Sequence, residues 1–166
     1  LHPVNLGKLV QGIPAPLACT PAGIQYLLEQ YDVPIRGKHV VIVGRGLTIG
    51  RPLANLLSLK RTNANATVTV AHTGTEDISI HTKQADILIA AAGSPHMIKA
   101  DMVKPGSAVV AAGVSFEGKK LLSDVADEVD QVAGWLSPRI GGVGPMTRAF
   151  LMANTVQAAE KTLDIF

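Results

Sequence analysis

Two hydrophobic rhythms alternate along the chain. In one, apolar residues run without interruption, as in His39-Val40-Val41-Ile42-Val43, Asp86-Ile87-Leu88-Ile89-Ala90 and Ala108–Ala111. A strand covered on both faces needs that continuity. In the other, apolar residues recur at helical spacing, as with Ile24, Leu27 and Leu28, and again with Leu53, Leu56 and Leu57. That spacing lays a stripe along one face of a helix. Together they predict a helix over 21–31, with Thr20 as its cap, Pro21 in its first turn and Pro34 as its stop. A first strand over 39–43 follows, then a helix over 49–61 and a second strand over 66–71. A short helix over 76–84 leads to a third strand over 86–90 and a fourth over 108–111. A polar stretch over 123–130 precedes a short fifth strand near 134–136, and a last helix runs over 145–163. Residues 1–19, with Pro3, Gly7, Gly12, Pro14 and Pro16, read as an extended arm, leaving one domain over 20–166. Strands alternating with helices imply parallel pairing and right-handed crossovers. The expected fold is α/β: a Rossmann-like doubly wound parallel sheet, strand order 3-2-1-4-5, with helices on both faces.

Gly44-Arg45-Gly46-Leu47-Thr48-Ile49-Gly50 follows the first strand and opens the next helix. Gly44 permits a tight turn, Gly46 lets backbone approach a ligand, and Gly50 lets helix and strand pack closely. A pyrophosphate would meet unpaired N–H groups at the positive end of that helix. The alternative is a glycine turn that serves packing alone. An NAD site places Asp or Glu at the end of the second strand, against the ribose 2′-hydroxyl. Here that end reads Val70-Ala71-His72-Thr73-Gly74-Thr75, with no carboxylate before Glu76. A 2′-phosphate is therefore tolerated, and the planar fork of Arg45 suits it, so the expected cofactor is NADP. For Arg45 the competing reading is a solvated charge; for His72 it is a hydrogen-bonded loop histidine without a ligand. Three further loops, Ala92-Gly93-Ser94-Pro95, Gly113-Val114-Ser115 and Gly141-Gly142-Val143-Gly144-Pro145-Met146-Thr147, lie at the same rim, where open parallel sheets bind ligands.

Composition narrows the class. In 166 residues, 47% are hydrophobic and 17% charged, ordinary for a buried-sheet domain and far from disorder. The net charge of +2 and the 4% aromatic content give no basic cluster and no stacking platform for bases, so no nucleic-acid or membrane partner is expected. The lone Cys19 permits no internal disulfide and no thiolate metal cluster, which fits a reducing cytoplasm, and no metal is expected. No apolar stretch is long enough for a membrane span. The first methionine is Met97, so a chain opening Leu1-His2-Pro3 reads as a domain cut from a longer protein.

The run Ala18-Cys19-Thr20-Pro21-Ala22-Gly23, the turn Gly44-Arg45-Gly46, His72-Thr73, Gly113-Val114-Ser115 and the segment Gly141 to Thr147 stand in the order and spacing of one enzyme family. Over essentially its whole length the chain resembles the bifunctional methylenetetrahydrofolate dehydrogenase/methenyltetrahydrofolate cyclohydrolases, especially the actinobacterial forms. The G-G-V-G-P-M-T segment is the most specific element of the likeness. The resemblance implies oxidation of 5,10-methylenetetrahydrofolate with NADP, then hydrolysis of the methenyl product to 10-formyltetrahydrofolate, within one-carbon metabolism that serves purine, methionine and histidine biosynthesis. It also implies tetrahydrofolate derivatives as partners and a homodimer. Carried over by motif, Gly44, Arg45 and Gly46 bind the cofactor phosphates, with His72 beside them. Thr73 contacts the adenosine end and Val114 the nicotinamide end. The loop Gly141, Gly142, Val143, Gly144 and Pro145, with Thr147, closes over nicotinamide and pterin.

The chain departs from the family where chemistry is concerned. The family's catalytic lysine belongs to a Y-x-x-x-K motif in an amino-terminal domain. Here Gln30 follows Tyr26 at that spacing and Ile35 follows Tyr31, so no catalytic residue is assigned in this chain. Lys38, before the first strand, stands at the wrong end of the sheet. The family's folate-binding aspartate would precede Leu1. Ala111 stands where the family has aspartate, and Ile140 where it has proline. Three readings follow: the NADP-binding part of the folate enzyme, inactive without its other half; a non-catalytic nucleotide-binding or dimerisation module of the same ancestry; and another oxidoreductase such as a short-chain dehydrogenase, which also requires the missing Y-x-x-x-K.

Overall fold

A computed structural model describes residues 1–118 and 120–163. In chain order the elements are α1 (Pro3–Val10), α2 (Cys19–Gln30), β1 (His39–Val43), α3 (Gly50–Ser58), β2 (Thr67–Ala71), α4 (Ile78–Thr82), β3 (Ile87–Ala90), β4 (Ala108–Ala111), β5 (Val114–Glu117), β6 (Lys120–Ser123), β7 (Trp135–Leu136) and α5 (Val143–Leu163). Single 3₁₀ turns occupy Ala100–Met102 and Asp127–Gln131. Among the described residues, no helix is long and apolar enough to cross a membrane.

The main sheet is parallel throughout, in the order β2-β1-β3-β4-β7. The α/β doubly wound class is as expected, but the order 3-2-1-4-5 is not: the second and third strands flank the first. The physical reason is legible in side-chain patterning. Thr67-Val68-Thr69-Val70-Ala71 alternates, and all of β2 except Ala71 is at least partly exposed, as an edge strand can be. Ile87-Leu88-Ile89-Ala90 is fully buried and takes an interior place. His39 ties β1 to both neighbours: its ring Nε2 lies 2.9 Å from Thr69 Oγ1, and its N–H donates to Asp86 Oδ2 at 3.0 Å.

Successive β residues point to opposite faces, so the sheet divides the core in two. Val40, Ile42, Ile87, Ile89 and Val110 pack under α2 and α3 with Ile24, Leu28, Leu53 and Leu57. Val41, Val43, Leu88, Ala90 and Val109 face Ala85, Ile98, Val103, Val125 and Val129. The second face is covered mainly by the short α4, the 3₁₀ turns and their loops rather than by long helices. Each fully buried Leu or Ile here contributes about 1.5–3 kcal/mol relative to exposure.

Local departures have local causes. Residues 3–10 are helical instead of extended, because Pro3 suits the first turn and the His2 ring nitrogen Nδ1 accepts from Val4 N–H at 3.3 Å. Thr20 does not cap α2; that helix starts at Cys19, and the Thr20 hydroxyl lies 3.0 Å from the Thr147 hydroxyl on α5. The hairpin β5–β6 was not anticipated. It pairs Val114–Glu117 antiparallel with Lys120–Ser123, around Gly118 at a φ of +60°.

Candidate functional site

The order β2-β1-β3 creates a topological switch point, where the chain leaves β1 in one direction and β3 in the other. Ligands of open parallel sheets bind in the crevice beyond the carboxyl ends at such a point. A cleft of about 310 Å³ lies there, lined by Val43, Gly44, Arg45, Gly46, His72, Thr73, Ala91, Ala92, Ser94 and Met97. Five positions expected from sequence, Gly44, Arg45, Gly46, His72 and Thr73, thus share one cavity. The opposite wall is the loop after β3. A concavity of about 340 Å³ lies at the amino ends of the strands, between Lys38, Asp86, Lys104, Ser107 and Trp135. Its Pro105-Gly106 turn leads into a strand, β4, and not into a helix, and Lys38 stands there, far from the carboxyl rim.

The first wall is built by the β1 turn. Gly44 has a φ of +124°, and a Cβ on it would overlap the Ala91 carbonyl. Its N–H donates to Ala71 O at 2.8 Å, while Ala91 N–H donates to Val43 O at 2.8 Å, so the turn continues the ladder on both sides. Gly46 is different: a Cβ there would meet nothing within 4 Å. The first residue of the pair is required by the protein's own packing, and the second leaves backbone open towards the cleft. The amino end of α3 has no side-chain cap, since Ile49 stands at the cap position. Much of its first turn is already satisfied, since Arg51 N–H donates to Gly46 O at 3.1 Å, Leu53 N–H donates to Ile49 O at 2.9 Å and Pro52 has no N–H, so what the helix offers an anion is chiefly its positive end.

Arg45 and His72 form the outer lip. Arg45 Nη1 lies 3.3 Å from His72 Nε2, and the other ring nitrogen, Nδ1, accepts from Gly74 N–H at 3.0 Å. Thr75 closes the turn, its hydroxyl accepting from His72 N–H at 2.9 Å and its N–H donating to His72 O at 2.8 Å. Among the described residues, no carboxylate pairs with Arg45; the ion pairs are Lys104–Asp86 at 2.7 Å and Arg139–Asp127.

The second wall depends on a residue that sequence reading missed. Asp124 is completely buried, and its Oδ2 accepts from Ala92 N–H at 2.7 Å and Gly93 N–H at 2.8 Å. A Cβ on Gly113 would overlap this carboxylate, so glycine at 113 makes the approach possible. Asp124 N–H in turn donates to Gly113 O at 3.1 Å, and Ile98 N–H to Asp124 O at 2.9 Å. One buried residue, through its carboxylate and its own N–H, therefore ties the loops after β3 and β4 together. The signal available was a carboxylate between Ser123 and Val125-Ala126, which read as part of a polar stretch; all four residues are buried.

The remaining sequence-assigned positions do not line this cleft. Val114 opens the β5–β6 hairpin beyond β4 and is exposed. Gly141 and Gly142 form a turn before α5, and Val143, Gly144, Pro145 and Thr147 lie in its first turns. Thr147 donates to Val143 O at 3.2 Å and faces Thr20, which ties the helix start to α2. Ile140 is 84% exposed at the head of that turn. Ala111 is buried, its N–H donating to Ser137 Oγ at 2.9 Å.

The sequence model of the family described as "Tetrahydrofolate dehydrogenase/cyclohydrolase, NAD(P)-binding domain" matches residues 18–163. A curated relative, the bifunctional protein FolD of Syntrophotalea carbinolica, is 57% identical over 97% of this chain and 56% of its own length. Among solved structures, the bifunctional FolD methylenetetrahydrofolate dehydrogenase/cyclohydrolase of Campylobacter jejuni superposes with a TM-score of 0.90 at 43% identity, over 97% of this chain and 57% of that one. The Trypanosoma brucei FolD, solved with NADP cofactor and inhibitor, gives 0.86 at 36% identity, over 97% and 57%. The chain therefore spans little more than half the length of the relatives it matches.

Proposed function

The chain belongs to the tetrahydrofolate dehydrogenase/cyclohydrolase family, as its NAD(P)-binding domain, and on that premise we propose that it holds NADP for oxidation of 5,10-methylenetetrahydrofolate to the methenyl compound, which the complete protein hydrolyses to 10-formyltetrahydrofolate. The observation that carries this is the meeting of Gly44-Arg45-Gly46 with His72-Thr73 in one cleft at the switch point. The residues fit the cofactor. The open backbone at Gly46 and the positive end of α3 suit a pyrophosphate. Arg45, unpaired with any described carboxylate, suits a 2′-phosphate, and Thr73 lies at the adenosine end. Bound there, NADP supplies the hydride acceptor. The chain's own part is to orient it: Asp124 holds the Ala92–Gly93 wall, and Val114 with the Gly141–Thr147 segment stands at the nicotinamide and pterin side. Proton transfer at the folate nitrogen and activation of water need a group with a tunable pKa. No lysine lines this cleft, and we assign that step to the part of the relatives this chain does not span.

We further place the protein in the cytoplasm and assign it a homodimer through the β5–β6 hairpin, where Phe116 is 73% exposed beside exposed Val114 and Leu121. NADP-dependent oxidation of methylenetetrahydrofolate by the intact protein, followed by the absorbance of the reduced cofactor, tests the activity. Turnover with NADP that Arg45→Ala lowers more than turnover with NAD supports the reading. No turnover with either cofactor favours a non-catalytic nucleotide-binding module of the same ancestry.

A further inference from the structure

A buried negative charge stands between the two loops that continue the cleft beyond β1. Asp124 is completely buried. Its Oδ2 accepts from Ala92 N–H at 2.7 Å and from Gly93 N–H at 2.8 Å, while its other oxygen, Oδ1, is buried without a hydrogen-bond partner. Among the described residues, no lysine, arginine or histidine pairs with it; the ion pairs belong to Asp86 and Asp127. Two peptide N–H groups aimed at one oxygen stabilise the charge of a carboxylate without cancelling it. Buried charges are ordinarily paired, so this carboxylate lacks a cation that the protein itself does not supply.

The strand order says where a cation can come from. On the assignment above, His72 and Thr73 at the end of β2 take the adenosine part of the cofactor, and the Gly44–Gly46 turn takes the pyrophosphate. A dinucleotide laid across the switch point from β2 over β1 brings its other half to β3 and β4. Those strands run on into Ala91-Ala92-Gly93 and Ala112-Gly113. Ala91, Ala92 and Ser94 line the cleft on that side. Asp124 lies directly behind them, bonded to Ala92 and Gly93 and so close to Gly113 that a Cβ there would overlap its carboxylate. One layer of backbone separates the charge from the space left for the nicotinamide. The oxidised nicotinamide ring is a cation and the reduced ring is neutral. Hydride, a proton with two electrons, leaves the folate methylene carbon for C4 of the ring; the ring's positive charge is thereby lost, and one develops on the methenyl product.

We propose that Asp124 is a specificity-determining residue for the oxidation state of the cofactor: its buried carboxylate favours the cationic nicotinamide ring of NADP⁺ over the neutral ring of NADPH. This rests on the NADP assignment above and deepens it. The role is separate from holding the Ala92–Gly93 loop, which needs an acceptor oxygen and not a charge. A few ångströms behind the wall, at the effective dielectric of a protein interior, one unit charge changes affinity by about five-fold or more. The same preference loosens the reduced cofactor after hydride transfer and so favours its release.

Two substitutions separate charge from anchoring. Asp124→Asn keeps an oxygen for the Ala92 and Gly93 N–H groups and removes the charge, whereas Asp124→Ala removes both. Dissociation constants for NADP⁺ and NADPH are measured by calorimetry on the intact protein and both variants, with thermal unfolding of each as a check on folding. The original protein is expected to bind NADP⁺ at least about five-fold more tightly than NADPH, and to keep that ratio at high salt, because a buried charge is screened little. In Asp124→Asn the ratio falls to within about two-fold, through loss of NADP⁺ affinity with NADPH affinity unchanged. In Asp124→Ala the ratio falls equally, while both forms bind more weakly. An original protein that binds NADPH as tightly as NADP⁺ would overturn the proposal without any substitution. So would an Asp124→Asn ratio equal to the original, or parallel losses for the two forms in both variants, which mark an anchor for the loop only. Failure of the original protein to bind either form would remove the NADP assignment underneath, and the proposal with it.

Discussion

The two glycines of the β1 turn have opposite jobs, and alanine at each gives opposite results. At Gly44, alanine must adopt a φ of +124° and place its methyl into the Ala91 carbonyl. The backbone strain costs about 1–3 kcal/mol, and relieving the overlap by moving the β3 loop costs a similar ~1–3 kcal/mol. The sum, about 2–6 kcal/mol, is a large share of the ~5–15 kcal/mol that holds a typical domain together. For a domain of this size that corresponds to a melting temperature lowered by about 5–20 °C. At Gly46 the new methyl meets nothing within 4 Å, and φ lies outside the left-handed region. The expected stability change is within about 0.5 kcal/mol, while the methyl occupies space assigned to the pyrophosphate. Differential scanning calorimetry and NADP titration of both variants read the two effects separately. Gly44→Ala melts early, whereas Gly46→Ala melts normally and binds NADP at least about ten-fold more weakly. A normally melting Gly44→Ala would refute the packing argument. A normally binding Gly46→Ala would refute the placement of the cofactor phosphates.

Other consequences follow from the same geometry. Asp124→Ala removes the acceptor of the Ala92 and Gly93 N–H groups in an exposed loop, and at about 0.5–1.5 kcal/mol net for each hydrogen bond we expect a loss of ~1–3 kcal/mol by urea denaturation, with weaker NADP binding. Thr147→Val removes the contact with Thr20 between α5 and α2 and lowers stability by about 1 kcal/mol in the same assay. The Lys104 ammonium, and then the His39 N–H, hold the Asp86 carboxyl below its ordinary value of 3.8. Its folded pKa being depressed, this contribution is present above that ordinary value and is lost as pH falls through the lower folded one. Asp86→Asn should therefore unfold earlier than the original protein at neutral pH, by at most about 1 kcal/mol for so exposed a pair, and the gap should close in acid.

What the sequence made legible is what period and turn chemistry encode. Val40–Val43 and Ile87–Ala90 announce buried strands because nothing polar interrupts them, and a glycine between such a strand and a helical stripe announces a phosphate-sized turn. The strand order was encoded too, in the Thr67 and Thr69 alternation that marks an edge, but a general expectation for dinucleotide folds outweighed it. The hairpin after β4 was not legible: Val114-Ser115-Phe116-Glu117 is short, largely exposed and reads like loop. Asp124 was hidden for a different reason. A carboxylate in sequence looks solvated, and only the fold brings Ala92, Gly93 and Gly113 around it.

Chemical-shift mapping of backbone amides during titration of the intact protein with NADP tests the central placement most directly. The account predicts the largest shifts at Arg45, Gly46, His72, Thr73 and the Ala92–Ser94 loop. Shifts gathered instead at the amino edge, around Lys38, Lys104 and Trp135, would contradict it, as would a titration that moves no amide at all.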